Sequence, residues 1–195
     1  MHPSISEVRK IIKRKSFEDR RCLIIGGSRG IGEVTAKILA VAGADVLLTY
    51  NRGVKEANTI VKSIRSEGYK SDSIFFNIQE MSSLNSLIEW KPSHLYYFAT
   101  PYIFSGSKNY FSEDFFNKLS TFYVFKFNEL AEKLIENGLK YIFYPSSVAL
   151  EELPLDMIEY CPAKSAGEFI CDALQKKYTS ISIDKPRLPR LLTDQ

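Results

Sequence analysis

Nearly continuous apolar runs alternate along this chain with longer stretches in which apolar residues recur every three or four positions. These are the two periods of a buried strand and an amphipathic helix. The spacing predicts strands over 22–25, 45–50, 73–76, 95–99, 141–144 and 180–183. Between them it predicts helices over 31–42, over a stripe of Ala57, Ile60, Val61 and Ile64 that stops at Gly68, over 83–90, over 113–136 and over 159–177. The long helix over 113–136 closes at Asn137-Gly138, a suitable C-terminal glycine. Strands that alternate with helices build a parallel sheet covered on both faces, so the fold class is α/β, doubly wound.

Ahead of the first strand, Ile5, Val8, Ile11 and Ile12 interleave with the basic run Arg9-Lys10 and Lys13-Arg14-Lys15. This reads as a short amphipathic helix near 4–15 with a solvated basic face. The chain is therefore divided into an N-terminal helix and linker over 1–18 and one α/β domain over 19–195. No repeat or Gly/Ser linker interrupts the second part, and the Pro-containing loop over 151–154 is the plausible mobile gate.

The chain has 195 residues, 45% of them hydrophobic, which is enough for one domain with a sizeable core. A net charge of +3 is too small for a nucleic-acid footprint. The sequence has no run of about 18 apolar residues and no apolar signal core, so a cytoplasmic protein without a membrane partner is expected. Cys22, Cys161 and Cys171 have neither disulfide nor zinc-site spacing. Cys22 and Cys171 read as buried structural thiols, and Cys161 could be exposed and oxidisable. His2 and His94 are too few and too far apart for a metal site, and His94 reads as a polar strand-entry residue.

The strand over 22–25 runs into Gly26-Gly27-Ser28-Arg29-Gly30-Ile31-Gly32. A strand, a glycine turn and a helix start aim free backbone N–H groups and a helix dipole at a phosphate, with no side chain to block its approach. A pyrophosphate-containing dinucleotide is the ligand this arrangement suits. At the end of the second strand stands Thr49-Tyr50-Asn51-Arg52, without the carboxylate that would accept a ribose 2′-hydroxyl. Arg52 and Arg29 supply cationic forks matched to a 2′-phosphate instead, which points to NADP(H).

Tyr160 and Lys164 lie i and i+4 on a predicted helix, with Ser147 thirteen residues upstream of the tyrosine. A phenol with an ordinary pKa near 10 is a poor base at neutral pH, and a nearby ammonium would favour its phenolate. The Ser147 hydroxyl could hydrogen-bond a substrate oxygen. Hydride exchange between a nicotinamide and a carbonyl or alcohol needs such a group at the oxygen.

With the glycine turn first and then Ser147, Tyr160 and Lys164, the chain resembles the short-chain dehydrogenase/reductase superfamily from about Arg20 to Arg190. The resemblance implies a Rossmann-type fold, shorter at its C-terminal end than compact members. It implies a glycine motif of Gly26, Gly30 and Gly32, Ser28 and Arg29 at the adenosine phosphates, and Ile31 beside them. Asn51 and Arg52 would meet the ribose phosphate, and Asn77 stands where an aspartate usually binds adenine. Ala99-Thr100 falls where an Asn-Asn-Ala-Gly stretch supports the sheet, and Ser147, Tyr160 and Lys164 would be the triad, the last two also touching the cofactor.

The departures carry information too. Tyr97-Phe98-Ala99-Thr100 lacks the two asparagines, and Phe122 or Tyr123 stands where many members carry an asparagine that holds a proton-relay water. Lys164-Ser165-Ala166-Gly167-Glu168 and Arg187-Leu188-Pro189-Arg190 are similar to the extended subgroup that acts on nucleotide sugars. Tyr96 to Pro101 and Tyr144-Pro145-Ser146-Ser147 resemble reductase-type domains found beside acyl-transfer or polyketide-like modules.

The resemblance therefore implies an NADP(H)-dependent reductase of a ketone or aldehyde, its substrate either free or carrier-linked. A nucleotide-sugar epimerase or dehydratase and a non-catalytic nucleotide-binding domain of a larger synthase are the alternatives. A homodimer, a homotetramer or a neighbouring domain of a longer chain would be the partner, with the aromatic helix around Phe115, Phe116, Phe122, Tyr123, Phe125 and Phe127 as one contact. Substrate selection would fall to the loops over 102–111 and 151–158.

Overall fold

The computed structural model describes residues 2–12, 16–103 and 110–189. The expected end of the first helix at 13–15, most of the loop over 102–111, and the segment from Arg190 onward lie outside the described residues.

Six parallel strands form the sheet: β1 Arg21–Ile25, β2 Asp45–Tyr50, β3 Ser71–Phe75, β4 His94–Tyr97, β5 Tyr141–Phe143 and β7 Ser182–Asp184. Their spatial order is β3-β2-β1-β4-β5-β7. The order reverses between β1 and β4, and in open α/β sheets the crevice at the carboxyl ends of such a pair is where ligands bind.

Side-chain alternation along the strands divides the core in two. Leu23 and Ile25 of β1 join Leu95 and Tyr97 of β4 on one face, together with Phe127, Leu130 and Leu134 of α6 (Lys126–Glu136). Cys171 and Leu174 of α8 (Tyr160–Lys177) complete that layer. Cys22 and Ile24 point the other way, against Ala36 and Leu39 of α2 (Gly30–Val41) and Ala57, Ile60 and Ile64 of α3 (Val54–Ser66). Ile5 and Val8 of α1 (Ile5–Ile11) pack into this second layer, and Lys37 of α2 donates to the Pro3 carbonyl at 2.9 Å. On the same face of β4 and β5, His94, Tyr96, Phe98, Tyr141 and Phe143 form an aromatic row with ring centroids 5.2–5.9 Å apart.

Several expected boundaries move. β3 begins at Ser71 rather than 73 because the Ser71 hydroxyl turns inward and donates to the Val61 carbonyl, so a polar residue is buried at 5% exposure. β4 ends at Tyr97, short of the expected 99, and β7 covers 182–184 rather than 180–183. The helix expected to run unbroken over 113–136 is α5 (Glu113–Ser120), a π-helical turn over Thr121–Phe125, and then α6. A second, two-stranded sheet joins β6 (Ser146–Ser147) to β8 (Arg187–Leu188). The expected gate over 151–154 is partly helical: α7 spans Ala149–Glu152 and ends at Leu153 in the left-handed region, φ 47°. A 3-10 turn over Leu155–Met157 leads on to α8.

Candidate active site

The nucleotide side of the crevice is made of backbone. Gly26, at φ +80°, follows β1 directly, and a Cβ there would lie 3.0 Å from the Phe98 carbonyl carbon. A Cβ on Gly32 would come within 2.2 Å of the Gly26 carbonyl oxygen, so the first turn of α2 can close on the glycine turn only without a side chain. Thr49, at the end of β2, fixes the turn from below: its hydroxyl accepts from Gly26 N at 3.1 Å and its carbonyl from Gly27 N at 3.1 Å. The first turn bond of α2 runs from Glu33 N to Arg29 O at 3.2 Å. The N–H groups of Gly30, Ile31 and Gly32 therefore precede the helical ladder and stand at its positive end.

Ser28 is buried and Arg29 exposed, and both lean on Gly53, the residue that begins α3. A Cβ at Gly53 would meet the Ser28 Oγ at 3.0 Å and an Arg29 guanidinium nitrogen at 3.4 Å. The Arg29 guanidinium thus lies beside Gly53, which follows the exposed Asn51-Arg52 turn at the end of β2. Asn77, beyond β3, is committed to its own turn: its Oδ1 accepts from Gln79 N at 3.1 Å and its N–H donates to the Ser82 hydroxyl at 2.8 Å. This glycine turn, packed closely enough to exclude a Cβ and followed by three N–H groups ahead of the α2 ladder, fits a dinucleotide phosphate.

Opposite it, the structure brings Ser147, Tyr160 and Tyr123 together. The Ser147 hydroxyl accepts from Ala149 N at 3.2 Å, which leaves its proton free for the Tyr160 phenol, its other partner. Tyr160 opens α8 and is 9% exposed. Burial raises its pKa above the ordinary phenol value, while the Ser147 hydrogen bond pulls the other way.

Lys164 is 6% exposed, and its ammonium lies over the Tyr123 ring at 4.1 Å and the Tyr144 ring at 4.5 Å. The expected lowering of the Tyr160 pKa by this ammonium is absent here, because the lysine stem carries its charge between the two rings. Burial pulls the Lys164 pKa down to about 7, with the Cys171 thiol and the Glu168 carboxylate opposing the fall. A shift of that size corresponds to an unfavourable term of the order of 5 kcal/mol. The roughly 2 kcal/mol that a desolvated cation–π contact returns does not cancel it. Desolvation outweighs the ring contacts, so the charged form of the lysine is disfavoured.

The π turn explains why the tyrosines are there. Its irregular backbone presents the Phe122 carbonyl to the Tyr97 hydroxyl at 2.7 Å and the Tyr123 carbonyl to the Tyr144 hydroxyl at 3.1 Å. Tyr123 in turn hydrogen-bonds Thr100 through its hydroxyl and meets the Tyr160 ring edge-on, with centroids 5.7 Å apart. Gly167 completes the box, since a Cβ there would fall 1.9 Å from the Tyr144 hydroxyl oxygen. Thus Thr100, expected at the cofactor, is tied to the helix opposite, and Ala99 packs against the first core layer.

Sequence reasoning pointed at position 123 as a missing asparagine and as part of an aromatic helix contact. The signal for a cage was present in Tyr97, Tyr123, Tyr144 and Gly167, four residues that fall in β4, in the π turn, just after β5 and in α8. Cys161, expected to be exposable, is 5% exposed and donates its thiol to the Ala149 carbonyl at 3.2 Å. Cys22 and Cys171 are buried as expected, at 0% and 1% exposure. His94 opens β4 and pairs with the Ser93 hydroxyl at 2.9 Å. Among the described residues no cluster of His, Cys, Asp or Glu is arranged to hold a metal, and no helix is long and apolar enough to cross a membrane.

Comparison with known proteins gives the same answer as the fold. Residues 20–97 match the family model of the short chain dehydrogenases. Versicolorin reductase 1 of Dothistroma septosporum is 33% identical over 78 residues, 40% of this chain and 30% of that protein. Hydroxynaphthalene reductase-like protein Arp2 of Metarhizium guizhouense is 27% identical over 179 residues, 85% of this chain and 67% of that one. Over residues 20–97 the chain is similar to the short chain dehydrogenases. A short chain dehydrogenase from Burkholderia cenocepacia J2315, solved in complex with NADP, superposes with a TM-score of 0.81 over 91% of this chain and 77% of its own, at 23% identity. That likeness supports the fold. The chain spans less than a third of the versicolorin reductase's length.

Proposed function

We propose that this protein is an NADP(H)-dependent reductase of a ketone or aldehyde, with Tyr160 as proton donor. The observation that carries the reading is the hydrogen-bonded Ser147–Tyr160 pair beside Lys164, across the crevice from a glycine cradle flanked by Arg29 and Arg52. The relatives named as reductases and the NADP-bound structural neighbour support the same assignment.

The backbone N–H groups of Gly30, Ile31 and Gly32 would hold the pyrophosphate, and Arg29, Asn51 and Arg52 the 2′-phosphate. NADPH, when bound, supplies the hydride. Ser147 would hydrogen-bond the substrate carbonyl oxygen and polarise it. Tyr160, kept protonated by burial, is in the state needed to give its proton to that oxygen as charge develops there. This favours the reductive direction. Lys164 would turn toward the phenol and the ribose when its charge is needed, leaving a cage in which that charge is poorly solvated.

The test is fluorescence titration with NADPH and NADH, followed by NADPH oxidation over a panel of ketones and aldehydes. Tighter binding of NADPH, with oxidation by some carbonyl, supports the reading. Tight NADPH binding with no oxidation across the panel would replace it with a non-catalytic nucleotide-binding domain.

A further inference from the structure

Ser147 sits on a strand of two residues, too short to hold a hydroxyl in place by pairing alone. The strand pairs with β8 in parallel, and the pairing is flanked by Ser146 N to the Pro186 carbonyl at 2.8 Å and Val148 N to the Leu188 carbonyl at 3.1 Å. Side chains add the missing constraint. Arg187 sends Nε to Glu168 Oε1 at 2.9 Å and Nη2 to Glu168 Oε2 at 2.9 Å, a bidentate fork. The same Glu168 Oε1 accepts the Ser146 hydroxyl at 2.5 Å. The remaining Arg187 nitrogen, Nη1, reaches Glu151 of α7 at 3.0 Å.

Glu168 lies one helical turn beyond Lys164 and two beyond Tyr160 on α8. The helix that carries the tyrosine and lysine is thereby fastened to the strand that carries the serine. The two arms differ in strength. The Glu168 side chain is 13% exposed and the Glu151 side chain 62%, so solvent screens the second far more than the first.

We propose that Arg187 and Glu168 are a positioning pair that sets the distance between the Ser147 and Tyr160 hydroxyls, acting through Ser146. The proposal rests on the reading of Ser147 as the substrate-facing hydroxyl. A lysine cannot replace the arginine, because one ammonium cannot span both carboxylate oxygens and still reach Glu151.

The experiment compares Arg187→Ala, Arg187→Lys, Ser147→Ala and the Arg187→Ala/Ser147→Ala double variant in NADPH-coupled carbonyl reduction. Arg187→Ala should lower kcat roughly 10- to 100-fold with the KM for NADPH unchanged, as expected of a misplaced reacting group. Arg187→Lys should fail to restore it, and free guanidinium should restore part of it. In the double variant the loss should be no greater than in Ser147→Ala. Losses that multiply, or an unchanged kcat in Arg187→Ala, would overturn the pairing.

Amide hydrogen exchange decides the structural half without any turnover. Ser146 and Val148 should exchange faster in Arg187→Ala while the melting temperature stays close to that of the parent. Unchanged exchange at both amides would overturn the proposal. Failure of the unmodified protein to oxidise NADPH with any carbonyl of the panel would instead refute the reading of the site, and the exchange result would still stand or fall by itself.

Discussion

The two walls of the crevice meet at one sheet edge and are built by opposite means. On the nucleotide side, β1, α2 and β2 present backbone, and glycine lets the first turn of α2 close on the turn after β1. On the catalytic side, β4, the π turn, β5 and α8 present aromatic rings, and glycine keeps space for a tyrosine of the protein itself. Gly32 gives way to the Gly26 carbonyl, Gly167 to the Tyr144 hydroxyl. The first wall follows the superfamily's glycine pattern closely, whereas the second replaces an expected asparagine with Tyr123 and closes an aromatic box over Lys164. A shared fold thus constrains how the cofactor is held more tightly than how the reacting groups are tuned.

Two glycine substitutions separate the walls. Gly32→Ala drives a Cβ into backbone and should weaken NADPH binding by roughly 100-fold, equivalent to about 3 kcal/mol. Gly167→Ala displaces the Tyr144 hydroxyl instead and should lower turnover about tenfold while NADPH affinity is retained. Titration and steady-state kinetics on the two variants would show it. Loss of NADPH affinity in Gly167→Ala would mean that the walls are not independent.

Arg52→Asp sharpens the nucleotide side. Loss of a charge-assisted contact should raise the NADPH dissociation constant roughly tenfold or more and leave that for NADH nearly unchanged. An equal effect on both cofactors would remove Arg52 from the 2′-phosphate.

The smallest expected effect is a pH dependence on the catalytic side. Lys164 is lowered to about 7 in the folded protein, so above that pH the unfolded chain binds the extra proton and stability rises with pH. The slope should approach about 1.4 kcal/mol per unit up to ~8.5. Above the ordinary thiol value the buried thiols Cys22 and Cys171, both pushed up to about 12, act in the opposite sense. Urea unfolding of the cofactor-free protein at several pH values should show the rise, and Lys164→Met should flatten it. An unchanged slope in that variant would place the lysine in water.

How much of this was legible in the sequence follows from which signals are local. The strand over 45–50 was read to the residue because its apolar run is bounded by turn residues, and the stripe Ala57, Ile60, Val61 and Ile64 fixes α3 by period alone. The π turn was invisible, since one added residue per turn leaves an apolar helix pattern looking continuous, and the hydroxyls that meet its carbonyls come from β4 and from the residue after β5. The two-residue strands β6 and β8 are too short to carry any period. At the site, i and i+4 spacing places Tyr160 and Lys164 on one helix face, but four methylene groups let the ammonium choose its neighbours. It chose the rings of Tyr123 and Tyr144, which only tertiary packing brings near.

The central claim is that the Tyr160 hydroxyl moves the proton, and one variant addresses it. Tyr160→Phe keeps the ring against Tyr123 and deletes only the hydroxyl bonded to Ser147. Carbonyl-dependent NADPH oxidation should fall roughly 100-fold or more, while fluorescence titration shows NADPH bound as before. Turnover retained in this variant would contradict the account.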